Sequence, residues 1–295
     1  MNTRLTRFVA GPWPFIIPAL IALVLMRGFP FIWQLWLAMT DMRLGIAPRF
    51  VGLDNFRAIF TSSAFLNSLS YTALFLVATV AGQMTLGLCL ALVLEGDFRG
   101  RDLYRTFFLI PWIISALVAG ILWQLMLGET SSGFLNAIIG LWGGSPVRWL
   151  SNPTNARVSV IMVYIWKGLG FSMLLMSGGL NTVPGELIES ADIDGAGFFR
   201  KLFSIKIPIM KEIISVNLIF SLIAALNSYE TVLVLTNGGP GGATSIIALE
   251  MFRTAFGDGR NQLGRGSAIG VVMFAVTLVF VIAYVRFSRF GKEST

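Results

Sequence analysis

The stretch Ser68–Leu94, SLSYTALFLVATVAGQMTLGLCLALVL, decides the fold. It contains no charged residue from end to end. A helix needs about 20 mostly apolar residues to cross the hydrocarbon of a bilayer, and inside a bilayer only a helix or a closed barrel satisfies every backbone polar group. The run is long enough to cross. Five other stretches read the same way. The first spans 14–39 and is interrupted by Arg27, Gly28 and Pro30. The others are 107–127, 158–180, 213–235 and 266–287. The expected fold is all-α integral membrane, with six transmembrane helices at about 14–39, 68–94, 107–127, 158–180, 213–235 and 266–287. Residues 1–295 read as one membrane domain, with no fixed-period repeat.

Composition agrees. The chain has 295 residues, 55% of them hydrophobic and only 13% charged. Its mean hydropathy is +0.77. The charged share is about half that of a soluble domain, and one soluble core could not hide so much apolar surface. The net charge of +7 would suggest nucleic acid in a soluble protein. Here the cations fall in loops between apolar runs, where they set topology, so nucleic acid is not an expected partner. There is no histidine and a single cysteine, Cys89, which reads as packing. Zinc sites, haem ligation by histidine and any Ser-His triad are excluded. No catalytic residue, metal ligand or nucleophile–base pair is visible, so a membrane-embedded enzyme is not expected.

Arg4 and Arg7 precede an apolar stretch, as in a signal peptide. No small-x-small cleavage site follows, and the apolar character resumes, so this reads as an uncleaved first span. Both tails, loop two (Arg99, Arg101, Arg105) and loop four (Arg200, Lys201, Lys206, Lys211) carry about 12 cations, against about 8 in the longer remaining loops. That bias places both termini in the cytoplasm. Trp13, Trp36, Trp112 and Trp142 fall near run ends, as interfacial belt residues do.

Loop four, 181–212, is not a plain linker. Pro184 can open a helix, and Glu186, Glu189 and Asp192 suit its positive end. Gly195 permits a left-handed turn. A second apolar arm, Phe198–Ile207, is closed by Pro208. Two short helices around a glycine elbow can seat in a groove on a partner, or lie on anionic lipid.

The spacing Glu189-Ser190-Ala191, Gly195, Ile205-Lys206-Ile207-Pro208 resembles the E-A-A-x3-G-x9-I-x-L-P loop of ABC importer permeases, with Ser190 for Ala and Ile207 for Leu. Other matches run along the chain. Phe50-Val51-Gly52-Leu53-Asp54-Asn55-Phe56 resembles F-x-G-L-x-N-[FY], and Leu109-Ile110-Pro111-Trp112 opens the third span as in the family. Gly133-Phe134-Leu135-Asn136 resembles G-x-L-N. Leu235-Thr236-Asn237-Gly238-Gly239-Pro240 is similar to L-T-x-G-G-P of the carbohydrate branch, the first-permease type of the maltose and glycerol-3-phosphate importers. The resemblance implies a type I ABC importer permease in a bacterial inner membrane, multi-pass, forming the path for a sugar or sugar-derived solute. It implies a heterodimer with a second permease subunit, two ATPase subunits and an extracytoplasmic solute-binding protein. It also implies that Glu189, Ser190, Ala191, Asp194, Gly195, Ala196 and Pro208 couple to the ATPase. The chain lacks a GxxxxGK[ST] loop, so no cofactor is expected on it. ATP and Mg belong to the partner ATPase.

Arg27, Lys167 and Glu230 are ionisable residues at or near membrane depth, where charge is expensive and often functional. Arg27 can snorkel to the outer interface. Sugar sites pair aromatic faces with amides and hydroxyls. Spans four and five supply Tyr164, Trp166, Lys167, Phe171, Ser221, Asn227, Ser228, Tyr229 and Glu230 as candidates for the substrate path, although small and hydroxylated residues also serve helix packing. Lys167 suits an anionic solute, or pairs with Glu230 or a partner subunit. The competing class is a secondary transporter of a polar solute. Such proteins use inverted repeats and acidic relays, and Glu230 is the only acid near membrane depth here.

Overall fold

The computed structural model describes residues 13–257, 259 and 261–290. Arg4, Arg7 and the tail beyond residue 290 lie outside the described residues. No strand occurs among the described residues; two isolated bridges, Thr40 with Phe50 and Arg43 with Ile46, are the only β pairing.

The described residues open with α1 (Trp13–Leu23), a π-helical turn (Val24–Gly28) and α2 (Phe29–Ala38). The expected interruption at Arg27–Pro30 is this widened turn rather than a break. Pro30 lacks an N–H and its ring crowds the preceding turn, so the ladder resets with Phe29 N–H donating to the Val24 carbonyl. After α3 (Asp54–Phe60) comes α4 (Ser63–Val93), which begins five residues before the expected span. Cys89 on α4 is a free, exposed thiol rather than a packing residue.

The expected third span, 107–127, is not one helix. It is α5 (Arg101–Ile113) and α6 (Ala116–Met126), bent by 100°. Ile114 and Ser115 between them are extended, with ψ of 136° and 143°. The short α7 (Phe134–Leu141) follows, then α8 (Pro153–Leu180). α8 starts at residue 153 rather than 158 because Asn152 caps it: Thr154 and Asn155 N–H groups donate to its Oδ1 at 3.0 and 3.1 Å, and Pro153 takes the first helical position.

Loop four folds into α9 (Gly185–Ile193), α10 (Phe198–Lys201), a π turn (Leu202–Lys206) and α11 (Ile207–Ile209). Pro184 precedes its helix rather than opening it. Pro208 lies inside α11, and the stop falls at Met210, so the second arm runs two residues past the expected Ile207. The expected fifth span, 213–235, is likewise two helices, α12 (Lys211–Asn227) and α13 (Glu230–Leu235), separated at Ser228–Tyr229. The last two are α14 (Ile247–Phe256) and α15 (Leu263–Phe290), the latter extending beyond the expected 266–287. Four stretches are long and apolar enough to cross a membrane: Ile16–Ala38, Ser63–Val93, Pro153–Leu180 and Leu263–Ile282. The number rises to six if each bent pair, α5 with α6 and α10–α11 with α12, is one span.

The helices gather into two compact units. One runs through Ser62 and takes up Met251–Val272. In it, Asn55 Nδ2 donates to the carbonyls of Ala38 (2.9 Å) and Thr40 (2.7 Å), closing the end of α2. This is the task of the asparagine in the F-x-G-L-x-N stretch, since the last carbonyls of a helix have no partner within it.

The other unit holds Ser63–Glu250 and the chain from Met273. Its frame is α4 laid along α8, with α5 and α12 against α8 and α6 against α13. Asn136 organises the segment between α6 and α8. It donates to the Gly128 carbonyl and accepts from Val147 N–H and from Trp149 Nε1 at 2.9 Å. Burial pushes the Glu129 carboxyl up. This is outweighed by bonds from Ser151 Oγ, Ser151 N–H and Leu150 N–H and by the charge of Arg148, which together hold it below the usual carboxylate value.

Candidate functional site

The elbow in loop four is a built turn. Asp194 caps the end of α9, and Gly195 follows at φ +72°. Gly195 N–H donates to the Asp192 carbonyl (3.1 Å) and Ala196 N–H reaches back to the Ala191 carbonyl (2.8 Å). These two bonds make a Schellman cap, which needs a left-handed residue at the Gly195 position. Glu189, Ser190, Asp194 and Pro208 are exposed, Ala196 is half-buried, and Ala191 is buried beneath the turn.

The two arms are tied together by Lys201 and Asp192 (2.6 Å). Lys206 Nζ reaches both oxygens of Glu95, at 2.8 and 2.6 Å, and so fastens the second arm to the end of α4. Exposed pairs of this kind contribute little stability, about 0–1 kcal/mol; their use here is to fix orientation. Beneath them, Met210 is fully buried and packs with Ala91 of α4 and with Met176 and Leu180 of α8. The tip of the elbow is open and its root is embedded. Closely packed side chains thus join the root of the elbow to α4 and α8.

Along these same helices lies a cavity of about 500 Å³. It is lined by Gln83 of α4, Trp112 of α5, Ala116 of α6, Tyr164, Lys167, Gly168 and Phe171 of α8, and Phe220, Ser221, Ala224, Ala225 and Ser228 at α12 and its end. Trp112 stacks on Phe171 with ring centroids 5.1 Å apart, and Phe220 meets Phe171 edge-on at 6.0 Å. One wall is thus aromatic, and the other offers an amide, hydroxyls and an ammonium.

Both helix breaks open here, and α8 closes both. Lys167 Nζ donates to the Ile114 carbonyl at 2.9 Å, and Tyr164 OH donates to the Ser228 carbonyl at 2.7 Å. Tyr164 and Lys167 are three residues apart, on one face of α8. Thr231 Oγ1 donates to the Ala116 carbonyl at 3.1 Å, joining the starts of α13 and α6. The orphaned carbonyls of two broken helices are therefore satisfied by side chains, as burial demands.

Of the residues expected along the path, Tyr164, Lys167, Phe171, Ser221 and Ser228 come together at the cavity. Asn227 bonds its own helix at the Ile223 carbonyl (2.8 Å) and is exposed. Trp166 packs on Trp123 at 5.4 Å. Tyr229 and Glu230 stand at the start of α13 and do not line the cavity. Three polar or aromatic lining residues, Gln83, Trp112 and Phe220, are not expected from the sequence, nor is a buried amide, Asn217, that lies outside the lining. Gln83 donates to the Tyr164 carbonyl at 2.8 Å. Trp112 reads as an interfacial belt residue, Phe220 gives no signal beyond apolarity, and buried Asn217 donates to Ser172 Oγ at 2.8 Å. Gln83 and Asn217 do carry a signal, as amides in otherwise apolar runs.

A family described as "Binding-protein-dependent transport system inner membrane component" matches residues 83–290. The trehalose/maltose transport system permease protein MalF of Thermococcus litoralis is 35% identical over 280 residues, covering 94% of this chain and 93% of that one. The diacetylchitobiose uptake system permease protein NgcF of Streptomyces coelicolor is 35% identical over 292 residues, covering 94% and 80%. A solved bacterial alginate ABC transporter, in complex with an alginate pentasaccharide-bound periplasmic protein, shares the fold with a TM-score of 0.81 at 22% identity, over 94% of this chain and 93% of that one.

Proposed function

The chain belongs to the family of binding-protein-dependent transport system inner membrane components, and from that premise we propose that it forms half of the translocation path of an ATP-driven sugar importer. It is a multi-pass membrane protein, a permease component rather than the motor. In this reading α5 with α6 counts as one span and α12 with α13 as another, while α9–α11 stay in the cytoplasmic loop. That gives six transmembrane helices in one membrane domain, both termini in the cytoplasm and the chain in the bacterial inner membrane. A second permease completes the path, two ATPase subunits bind ATP and Mg, and a solute-binding protein delivers the sugar from outside. The chain itself holds no cofactor and catalyses no reaction. The sugar class follows from relatives named for trehalose/maltose and diacetylchitobiose transport.

The observation that carries this reading is the elbow with an exposed tip and a buried root. Glu189, Ser190, Asp194, Gly195 and Ala196 sit in a groove of the ATPase, over Ala191, and Pro208 lies on the arm behind them. ATP binding closes the ATPase pair and moves the groove. The elbow follows, and through Met210 it turns α4 and α8, which bear the cavity. Sugar meets the Trp112–Phe171 wall on its apolar face and Gln83, Tyr164 and Ser221 with its hydroxyls.

Reconstitution tests it. Proteoliposomes holding this chain, its cognate second permease and the ATPase should take up a sugar only with ATP inside and loaded binding protein outside. The chain alone should take up none. Uptake by the single chain, or uptake that collapses with an uncoupler and ignores ATP, would overturn the reading.

A further inference from the structure

Lys167 is the charged residue in the wall of the cavity. An ammonium at membrane depth is held at considerable cost and is normally matched by a carboxylate. Among the described residues Lys167 has no ion-pair partner. The field of Glu230 reaches it, but Glu230 does not line the cavity and the two form no ion pair. The only partner of its Nζ among the described residues is the neutral Ile114 carbonyl at 2.9 Å. An ammonium carries three N–H donors, so two remain for whatever occupies the cavity. A neutral capping group would have satisfied that carbonyl equally, as Tyr164 does for Ser228; the positive charge is surplus to the cap.

We propose that Lys167 reads a negative charge on the solute, so that the transported class is an anionic saccharide carrying a carboxylate, sulfonate or phosphate. This rests on the reading of the chain as a sugar importer permease. The anion takes the two free N–H donors, and the sugar ring lies on the Trp112–Phe171 stack beside it. Charge-assisted bonds of this kind are about twice as strong as neutral ones.

The cognate binding protein, purified with its bound solute, supplies the test. Unfolding it releases the solute for mass spectrometry, and a saccharide with an ionised acid group is expected. A neutral saccharide would overturn this inference and leave the importer reading standing, whereas a compound that is no saccharide would overturn both. The compound so identified then serves as the probe in proteoliposomes. Lys167→Met should lower its uptake efficiency (kcat/KM) by about tenfold or more, and Lys167→Arg should keep most of it. Undiminished uptake by Lys167→Met would contradict the proposal. Should that variant fail to assemble, the charge of the released solute decides alone.

Discussion

Gly195→Val is expected to reduce import by about tenfold or more while the membrane complex still assembles. Gly195 sits at φ +72°, where an L-residue costs about 1–2 kcal/mol and a β-branched one is a true outlier. Nothing lies within 4 Å of where a Cβ would stand, so the loss comes from backbone geometry and not from crowding. The strain is relieved most easily by swinging the second arm and releasing the two cap bonds at Asp192 and Ala191. That moves Asp194 and Ala196 out of register with any groove they fit. The root at Met210 is untouched, so the helices keep their packing. Uptake rate and the size-exclusion yield of the complex, measured together, check this. Wild-type uptake in the variant would show that the cap does not matter to transport.

Gly170→Val should do the opposite, depleting the assembled complex itself. A Cβ at Gly170 would run into the backbone carbonyl of Phe108 and lie 3.0 Å from the α-carbon of Leu109. These are backbone atoms, and they cannot yield as the end of a flexible side chain does. α5 would have to lift off α8, opening the Trp112–Phe171 stack about one turn further along α5. Overpacking of this kind destabilises by about 1–3 kcal/mol. A lower melting temperature and a reduced yield are expected, with transport lost in proportion. Gly178→Ala is the control on the same helix, because no atom lies within 4 Å of its Cβ position, and it should behave as the natural chain. Equal stability of the two variants would contradict the close α5–α8 approach.

Four of the spans were legible because a bilayer imposes a length and a polarity on any helix that crosses it. The elbow was legible because a Schellman cap demands a residue such as glycine at one fixed place. In the E-A-A-x3-G spacing, Ala191 supplies the carbonyl that receives Ala196 N–H, and Gly195 is the left-handed residue between them, so the motif records the hydrogen bonds of the turn. Asn55 and Asn136 behave alike: each ties a loop through several backbone groups, which no other side chain of that size matches. The breaks at Ile114–Ser115 and Ser228–Tyr229 were not legible. Hydropathy runs unbroken through the first, the second shows only a short polar patch, Asn227–Thr231, inside an apolar run, and what stabilises both is distant in sequence. Lys167 lies 53 residues from Ile114 and Tyr164 lies 64 from Ser228. The same distance hid the cavity, since Gln83, Trp112 and Phe220 join it only once α4, α5 and α12 gather on α8. Lys167 was visible as a costly charge, but its lack of a carboxylate partner is a property of the packed helices.

Contact between the tip of loop four and the motor subunit is what would couple ATP to transport. A cysteine placed at the exposed Ser190, in a background with Cys89→Ser, can be crosslinked in membranes that hold the whole assembled transporter. A covalent adduct between this chain and the ATPase is expected, with a yield that changes when ATP is added. Labelling of the same cysteine from outside intact cells by a membrane-impermeant reagent, with no ATPase adduct, would contradict it.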